Sequence, residues 1–214
     1  MNVLVIAPHN DDEILGAGGT MRVHVLRGDQ VYVCEMTSGP RYKLLQDEAR
    51  KAHAQIGVKD SFFLNLPVGK LRNMEQAEIN ARLGEVFDAV HPEVVYLPFI
   101  GDMHLDHRET LESALVGLRP IHNPAVREIY MYETVSETGW NLPVSERAFI
   151  PNVWVDISET FSDKLHAMEC YESQLCEYPH PRSAEGIEAL AKFRGSTIGV
   201  TYAECFMAVR LIRS

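Results

Sequence analysis

The residues best suited to chemistry come early, in VLVIAPHNDDEILGAGG over residues 3–19. A histidine, an asparagine and three acids (His9, Asn10, Asp11, Asp12, Glu13) directly follow a run of Val, Leu and Ile. Adjacent carboxylates repel one another unless a cation offsets them. A helix start needs one acidic cap, and Asp11 or Asp12 alone would serve; three acids beside a histidine ask for a further explanation. An imidazole nitrogen and a carboxylate oxygen are good ligands for zinc. Asn10 and Asp11 separate His9 from Asp12, so those two side chains can turn toward one point. Asp11 would then stand next to a metal without touching it, which is where a general base belongs. A phosphate loop is the competing reading. It fails because no G-x-G-x-x-G follows the apolar run, no G-K-[ST] is present, and the acids would repel phosphate.

A catalytic zinc usually takes three protein ligands and leaves a position for water. The segment YLPFIGDMHLDHRET, residues 96–110, offers the third. It follows a second apolar run and contains Asp102, His104, Asp106 and His107 ahead of a helical pattern. The bland alternative is an acidic loop in which Asp106 caps a helix beginning near His107.

Both segments need to sit at the ends of strands. Short apolar runs alternate with longer amphipathic stretches along the chain. Strands are expected at Asn2–Ala7, Gln30–Met36, Ser61–Leu66, Glu93–Phe99, Arg127–Val135 and Val153–Ile157. Helices are expected at Glu13–Arg27, Lys43–Ile56, Glu75–Val90, His107–Leu118, Glu159–Leu175 and Ser183–Phe193, with Tyr202–Ile212 open between strand and helix. Thr37–Tyr42 reads as a loop, and residues 136–152 and 176–200 are the least regular. This rhythm predicts an α/β fold with a mostly parallel sheet covered on both faces, as one domain over 1–214. In such folds ligands bind at the carboxyl ends of the strands, near a switch in strand order. His9–Asp12 and Asp102–His107 would then share one edge. The glycines of GAGG, residues 16–19, are costly inside a helix, and close packing of that helix on the sheet would explain them.

Composition narrows the partners. Hydrophobic residues make up 46% of the 214 and charged residues 23%, as expected for a globular protein. The net charge of -10 repels nucleic acid and anionic membranes. No apolar run approaches the roughly 20 residues needed to span a bilayer, and no secretory signal pattern opens the chain. A cytoplasmic protein without membrane insertion is expected. The four cysteines form no C-x-x-C pair and read as reduced thiols.

PHNDDEILGAGG resembles the A-H-P-D-D-E signature of the LmbE-like, or PIG-L, zinc-dependent N-deacetylases. HLDH, residues 104–107, resembles that family's H-x-D-H signature. DEARKAHAQIGV (47–58), YESQ (171–174) and GVTYAECF (199–206) resemble further family segments, so the likeness runs through nearly the whole chain. The resemblance implies a Rossmann-like three-layer α/β/α sandwich. It implies zinc held by His9, Asp12 and His107, with Asp11 as general base. His104 would be a second catalytic group that stabilises an oxyanion when protonated, and Asp106 would raise its pKa and fix its ring. The implied substrate is a small-molecule N-acetylated sugar of the N-acetylglucosamine type, or its conjugate. Iron(II), cobalt or nickel also suit a His-Asp-His set.

Two positions depart from the family pattern. Asn10 replaces the usual proline, and Leu44–Asp47 stands where the family often places an arginine, leaving Arg41 as a candidate substitute. His180 and Arg182 in YPHPRS are further candidates for substrate contact. Trp140 and Trp154 could stack on a sugar but fit equally as anchors, and Tyr132 is expected to pack. His24, His53, His91, His122 and His166 lack a partner pattern and read as structural or exposed. An amidase acting on a larger thiol-sugar conjugate is the alternative enzyme. A non-catalytic Rossmann-like binding module is the alternative outside catalysis, though it has no use for a base beside a metal. The oligomeric state is left open, with a homo-oligomer compatible.

Overall fold

A computed structural model describes residues 1–213. Seven strands form one sheet in the order β3-β2-β1-β4-β5-β7-β6. They are β1 (Asn2–Ala7), β2 (Gln30–Ser38), β3 (Asp60–Pro67), β4 (Val94–Pro98), β5 (Glu128–Tyr132), β6 (Val153–Asp156) and β7 (Ala203–Leu211). The first five run parallel, and β7 is antiparallel to both β5 and β6. β1 and β4 are buried on both faces, which is why they read as unbroken apolar runs rather than alternations.

Alternate residues of the central strands feed two cores. Val3, Val5, Val31 and Val33 face one side, where helices α1 (Asp12–Leu26), α2 (Tyr42–Ile56), α6 (Phe161–Glu169) and α7 (Ala184–Ser196) supply Ile14, Ile56, Met168 and Ile187. Leu4, Ile6, Tyr32 and Cys34 face the other, against α3 (Gln76–Val90) and α4 (Leu105–Gly117). The result is the expected three-layer α/β/α sandwich. Because α1 and α4 lie on opposite faces while β1 and β4 are neighbours, the chain diverges at this pair, and a crevice opens beyond their carboxyl ends.

The glycine-rich stretch of α1 is explained by contact. A Cβ on Gly16 would run into the Tyr132 ring, and one on Gly19 would lie 2.8 Å from Ile157. Only glycine lets the helix backbone approach the sheet so closely. Tyr132 packs as expected, fully buried, with its hydroxyl donating to the Ile6 carbonyl at 2.9 Å.

Several boundaries differ from expectation, each for a tertiary reason. β2 continues through Thr37 and Ser38, because the Thr37 N–H and hydroxyl both donate to the Pro8 carbonyl. β5 stops at Tyr132, and Val135–Thr138 forms a short helical turn, α5. α6 ends at Glu169 rather than Leu175, because Tyr171 turns its ring into the core. Tyr202–Ile212 resolves as strand β7, held between β5 and β6. α4 begins at Leu105, two residues ahead of the expected start, which bears directly on the site.

Candidate active site

The β1–α1 turn is only Pro8–Asp11, and Asp11 absorbs its sharpness with φ at 100°. A non-glycine residue in this left-handed region costs about 1–3 kcal/mol and persists only where its surroundings hold it. The Asp11 side chain makes no capping hydrogen bond. Its carboxylate instead meets Arg182 Nη1 at 3.3 Å in the cleft. Burial and the neighbouring Asp12 carboxylate push the Asp11 carboxyl well above its ordinary pKa, and the Arg182 guanidinium pulls it part of the way back.

Asp12 points differently. Its Oδ2 accepts the His9 backbone N–H at 3.0 Å, lies 3.2 Å from His9 Nδ1, and lies 3.1 Å from His107 Nε2. Burial alone would raise this carboxyl, but the two imidazoles outweigh it and hold Asp12 well below the carboxylate range. The same pairing works in reverse on the rings. Against the opposing effect of burial, the surrounding carboxylates raise His9 to about 9 and His107 to about 10. The spot thus concentrates negative charge and favours a cation.

His107 decides what kind of cation. It is fully buried, and its Nδ1 sits 2.8 Å from Asp102 Oδ2. Asp102 is itself buried and accepts the Thr138 hydroxyl on its other oxygen at 2.5 Å. His107 Nε2, however, has no hydrogen-bond partner, although Asp12 Oδ2 is only 3.1 Å away. An unfilled buried nitrogen facing a carboxylate oxygen suits a cation that both would ligate. Ligand atoms of His9, Asp12 and His107 all lie within 4.8 Å of one another, so the three fit one metal ion. The carboxylate behind His107 matches the usual backing of a ligating imidazole. His9, His104 and Asp106 also lie close enough to hold an ion. In that set Asp106 spends its oxygens on the Gly69 and Leu71 N–H groups, and His104 Nδ1 accepts an N–H, so no buried atom is left unpartnered.

The expected relation between Asp106 and His104 is corrected. The Asp106 carboxylate stands 3.9 Å from His104 Nδ1 and is turned toward His9 Nε2, at 3.3 Å, and the Gly69 N–H, at 2.6 Å. It is the Asp106 backbone N–H that donates to His104 Nδ1, at 3.1 Å, so His104 rather than Asp106 is the N-cap of α4. An Nδ1 that accepts leaves its proton on Nε2. Burial and the nearby His9 outweigh the expected upward pull of Asp106 on the pKa of His104 and leave the ring below its ordinary value. The ring is therefore a neutral donor with a fixed tautomer.

His9, Asp11, Asp12 and His104 line one end of a cavity of about 500 Å³, with Thr37, Arg41 and Glu137 on its walls. A second cavity of about 470 Å³ adjoins it across His104 and Glu137 and is faced by Met103, Leu105 and Trp140. Of the weaker candidates, Arg41 lines the first cavity and Arg182 reaches Asp11. His180 lies against Trp140 and accepts the Arg182 N–H on Nδ1, so it shapes the loop. Trp154 donates to Thr197. Asp102, given no role from sequence, proves to be the carboxylate behind His107; its position in the same motif was the available signal. His53, read as structural or exposed, is buried behind the Asp11 turn beside Glu13.

Residues 4–116 match the family model described as PIG-L, GlcNAc-PI de-N-acetylase. The chain belongs to this family. The matched span contains both junctions that face the cleft. A diacetylchitobiose deacetylase of Thermococcus kodakarensis is 26% identical over 226 residues, covering 94% of this PIG-L family chain and 80% of the relative. The conserved protein TT1542 of Thermus thermophilus is 25% identical with a TM-score of 0.80, over 100% of this chain and 97% of the other. GalB, the 4-carboxy-2-hydroxymuconate hydratase of Pseudomonas putida KT2440, superposes with a TM-score of 0.78 over 100% and 98% of the two chains, at 20% identity. That last likeness concerns the fold alone. Family and relatives indicate a deacetylase-type hydrolase. Among the described residues, no helix is long and apolar enough to cross a membrane.

Proposed function

We propose that the protein is a zinc-dependent N-deacetylase, acting as one domain over residues 1–214 on an N-acetylglucosamine-type amino sugar or its conjugate. The observation that carries this reading is the convergence of His9, Asp12 and the unpartnered His107 Nε2 beside a buried carboxylate that is not part of the set. Zinc bound there would supply Lewis acidity, acidifying a water and polarising the acyl carbonyl.

The chain's own groups carry the rest of the reaction. Asp11 accepts a proton from the attacking water, with its carboxylate steered by Arg182. His104 donates from Nε2 to the oxygen that develops negative charge as the amide carbon becomes tetrahedral. Collapse breaks the carbon–nitrogen bond, and the proton held by Asp11 goes to the departing amine. Acetate and a free amino sugar result. Arg41 and Arg182 would meet the sugar from the first cavity. The second cavity, with Trp140 and Met103, would take the portion beyond it.

The test is amine release from N-acetylglucosamine and diacetylchitobiose by chelated protein, with and without added zinc. Zinc-dependent release is expected. Bound zinc without release from either sugar would redirect the substrate to a larger conjugate, and failure to bind zinc would overturn the reading.

A further inference from the structure

The strained backbone of Asp11 has to be held by something, and the residues holding it lie outside the cleft. The Asp11 N–H donates to Glu13 Oε2 at 3.2 Å. Glu13 is fully buried, and its other oxygen is claimed from behind. Tyr171 donates its hydroxyl to Oε1 at 2.5 Å, and His53 Nε2 approaches the same atom to 3.3 Å. His53 is anchored in turn by Ser61 Oγ on β3, 2.7 Å from its Nδ1. Tyr171 lies 158 residues from Glu13, just past α6. Glu35 completes the cluster, with Oε1 at 3.4 Å from the Tyr171 hydroxyl. Burial and the adjacent Glu13 push its carboxyl well above the ordinary range.

Glu13, Glu35 and His53 are close enough to hold a cation. Both Glu13 oxygens are nevertheless taken by protein donors, while Glu35 Oε2 is left without a partner. None of these side chains lines the cleft. Glu13 reaches it through the Asp11 N–H, and Tyr171 also meets it along the chain, where its carbonyl accepts the N–H of the cavity-lining Gln174 at 2.9 Å.

We propose that Tyr171 and His53 are positioning residues for the base, acting through Glu13 on the main chain of Asp11. The proposal rests on the reading of Asp11 as the base. The Tyr171 hydroxyl fixes the Glu13 carboxylate, Glu13 fixes the Asp11 N–H, and the Asp11 φ sets the direction of its side chain. Without the hydroxyl, Glu13 Oε1 keeps only the longer His53 contact, its hold on the Asp11 N–H weakens, Asp11 relaxes from the left-handed region, and its carboxylate leaves the line to the attacking water. A misplacement of about 1 Å is enough to cost on the order of a hundredfold in rate.

The experiment is Tyr171→Phe, made in the otherwise unaltered chain and again in the Asp11→Asn background. Each protein is loaded with zinc, normalised to bound metal, and assayed on diacetylchitobiose and N-acetylglucosamine. In the unaltered background kcat should fall about tenfold, with KM and zinc content unchanged. In the Asp11→Asn background the residual rate should fall no further, because the group through which Tyr171 acts is already gone. A crystal structure of metal-free Tyr171→Phe should show Asp11 outside the left-handed region. Undiminished kcat, an equal loss in both backgrounds, or Asp11 retained near φ 100° would each overturn the proposal. If Tyr171→Phe does not fold, Glu13→Gln is read in the same two backgrounds under the same criteria. An unaltered protein that binds zinc but releases no amine from either sugar would instead strike the functional reading, and this proposal with it.

Discussion

The two junctions that face the cleft both follow a buried parallel strand, yet they reach it by different means. The β1–α1 turn crosses in four residues, Pro8–Asp11, and aims its groups by backbone strain. Asp12 is tied to the N–H of His9 within the same turn. The β4–α4 loop takes six, Phe99–His104, and has no residue in the left-handed region. Its groups are braced from outside, Asp102 by Thr138, and Asp106 by the N–H groups of Gly69 and Leu71. A short turn thus gets its geometry from the chain path, and a longer loop gets it from its neighbours. Damage to the strained residue of the first, Asp11, should fall on the chemistry, and damage to the braced ligand of the second, His107, on metal retention.

The largest effect should come from His107→Ala, which removes the buried ligand from the braced loop. Zinc, measured by elemental analysis, should be lost together with all turnover; retained zinc at full stoichiometry would remove the loop from the metal site. Next is Asp11→Ala in the strained turn. Here zinc should stay while kcat drops by about 10²–10⁴-fold, the span typical of a general base. Near-normal turnover would end the base assignment and with it the contrast between the junctions. Asp102→Ala should act more mildly, through the ring it orients. Competition with a chelator should register zinc affinity about 10–100-fold weaker; a kcat defect at unchanged affinity would place Asp102 in the chemistry instead. The smallest expected effect is on stability. Gly16→Ala drives a Cβ into the Tyr132 ring and should cost about 1–3 kcal/mol in denaturant unfolding. Since α1 carries the ligand Asp12, a simultaneous loss of zinc would mean that the close packing of this helix on the sheet also sets the position of its ligand.

Much of this organisation is legible in the residues. The unbroken apolar runs at Val3–Ala7 and Val94–Leu97 identify central strands, and the side-chain types after them identify the two junctions. What the sequence hides depends on partners distant along the chain. Asp106 is two residues from His104, so a direct bond between the side chains is the natural expectation; the carboxylate goes instead to Gly69, which no local pattern signals. α4 starts earlier than its pattern suggests because a histidine is an uncommon cap, and only the fold shows its ring accepting the Asp106 N–H. Glu159–Leu175 has helical spacing throughout, yet Tyr171 leaves the helix to reach Glu13 and the core. His53 lies in the family-like segment 47–58 but has no spacing that ties it to the site, and its meaning appears only once α2 is laid behind the β1–α1 turn.

The layering of the sandwich bears on mechanics as well as chemistry. α1, which carries Asp12, belongs to one outer layer, and α4, which carries His107, belongs to the other. An ion held between them would act as a rivet through the sheet, strengthening the contact that Asp12 Oδ2 and His107 Nε2 make across 3.1 Å. Metal binding and resistance to unfolding would then be thermodynamically linked, with the melting temperature climbing as free zinc rises above its dissociation constant. The site that readies the protein for catalysis would also clasp its two outer layers together.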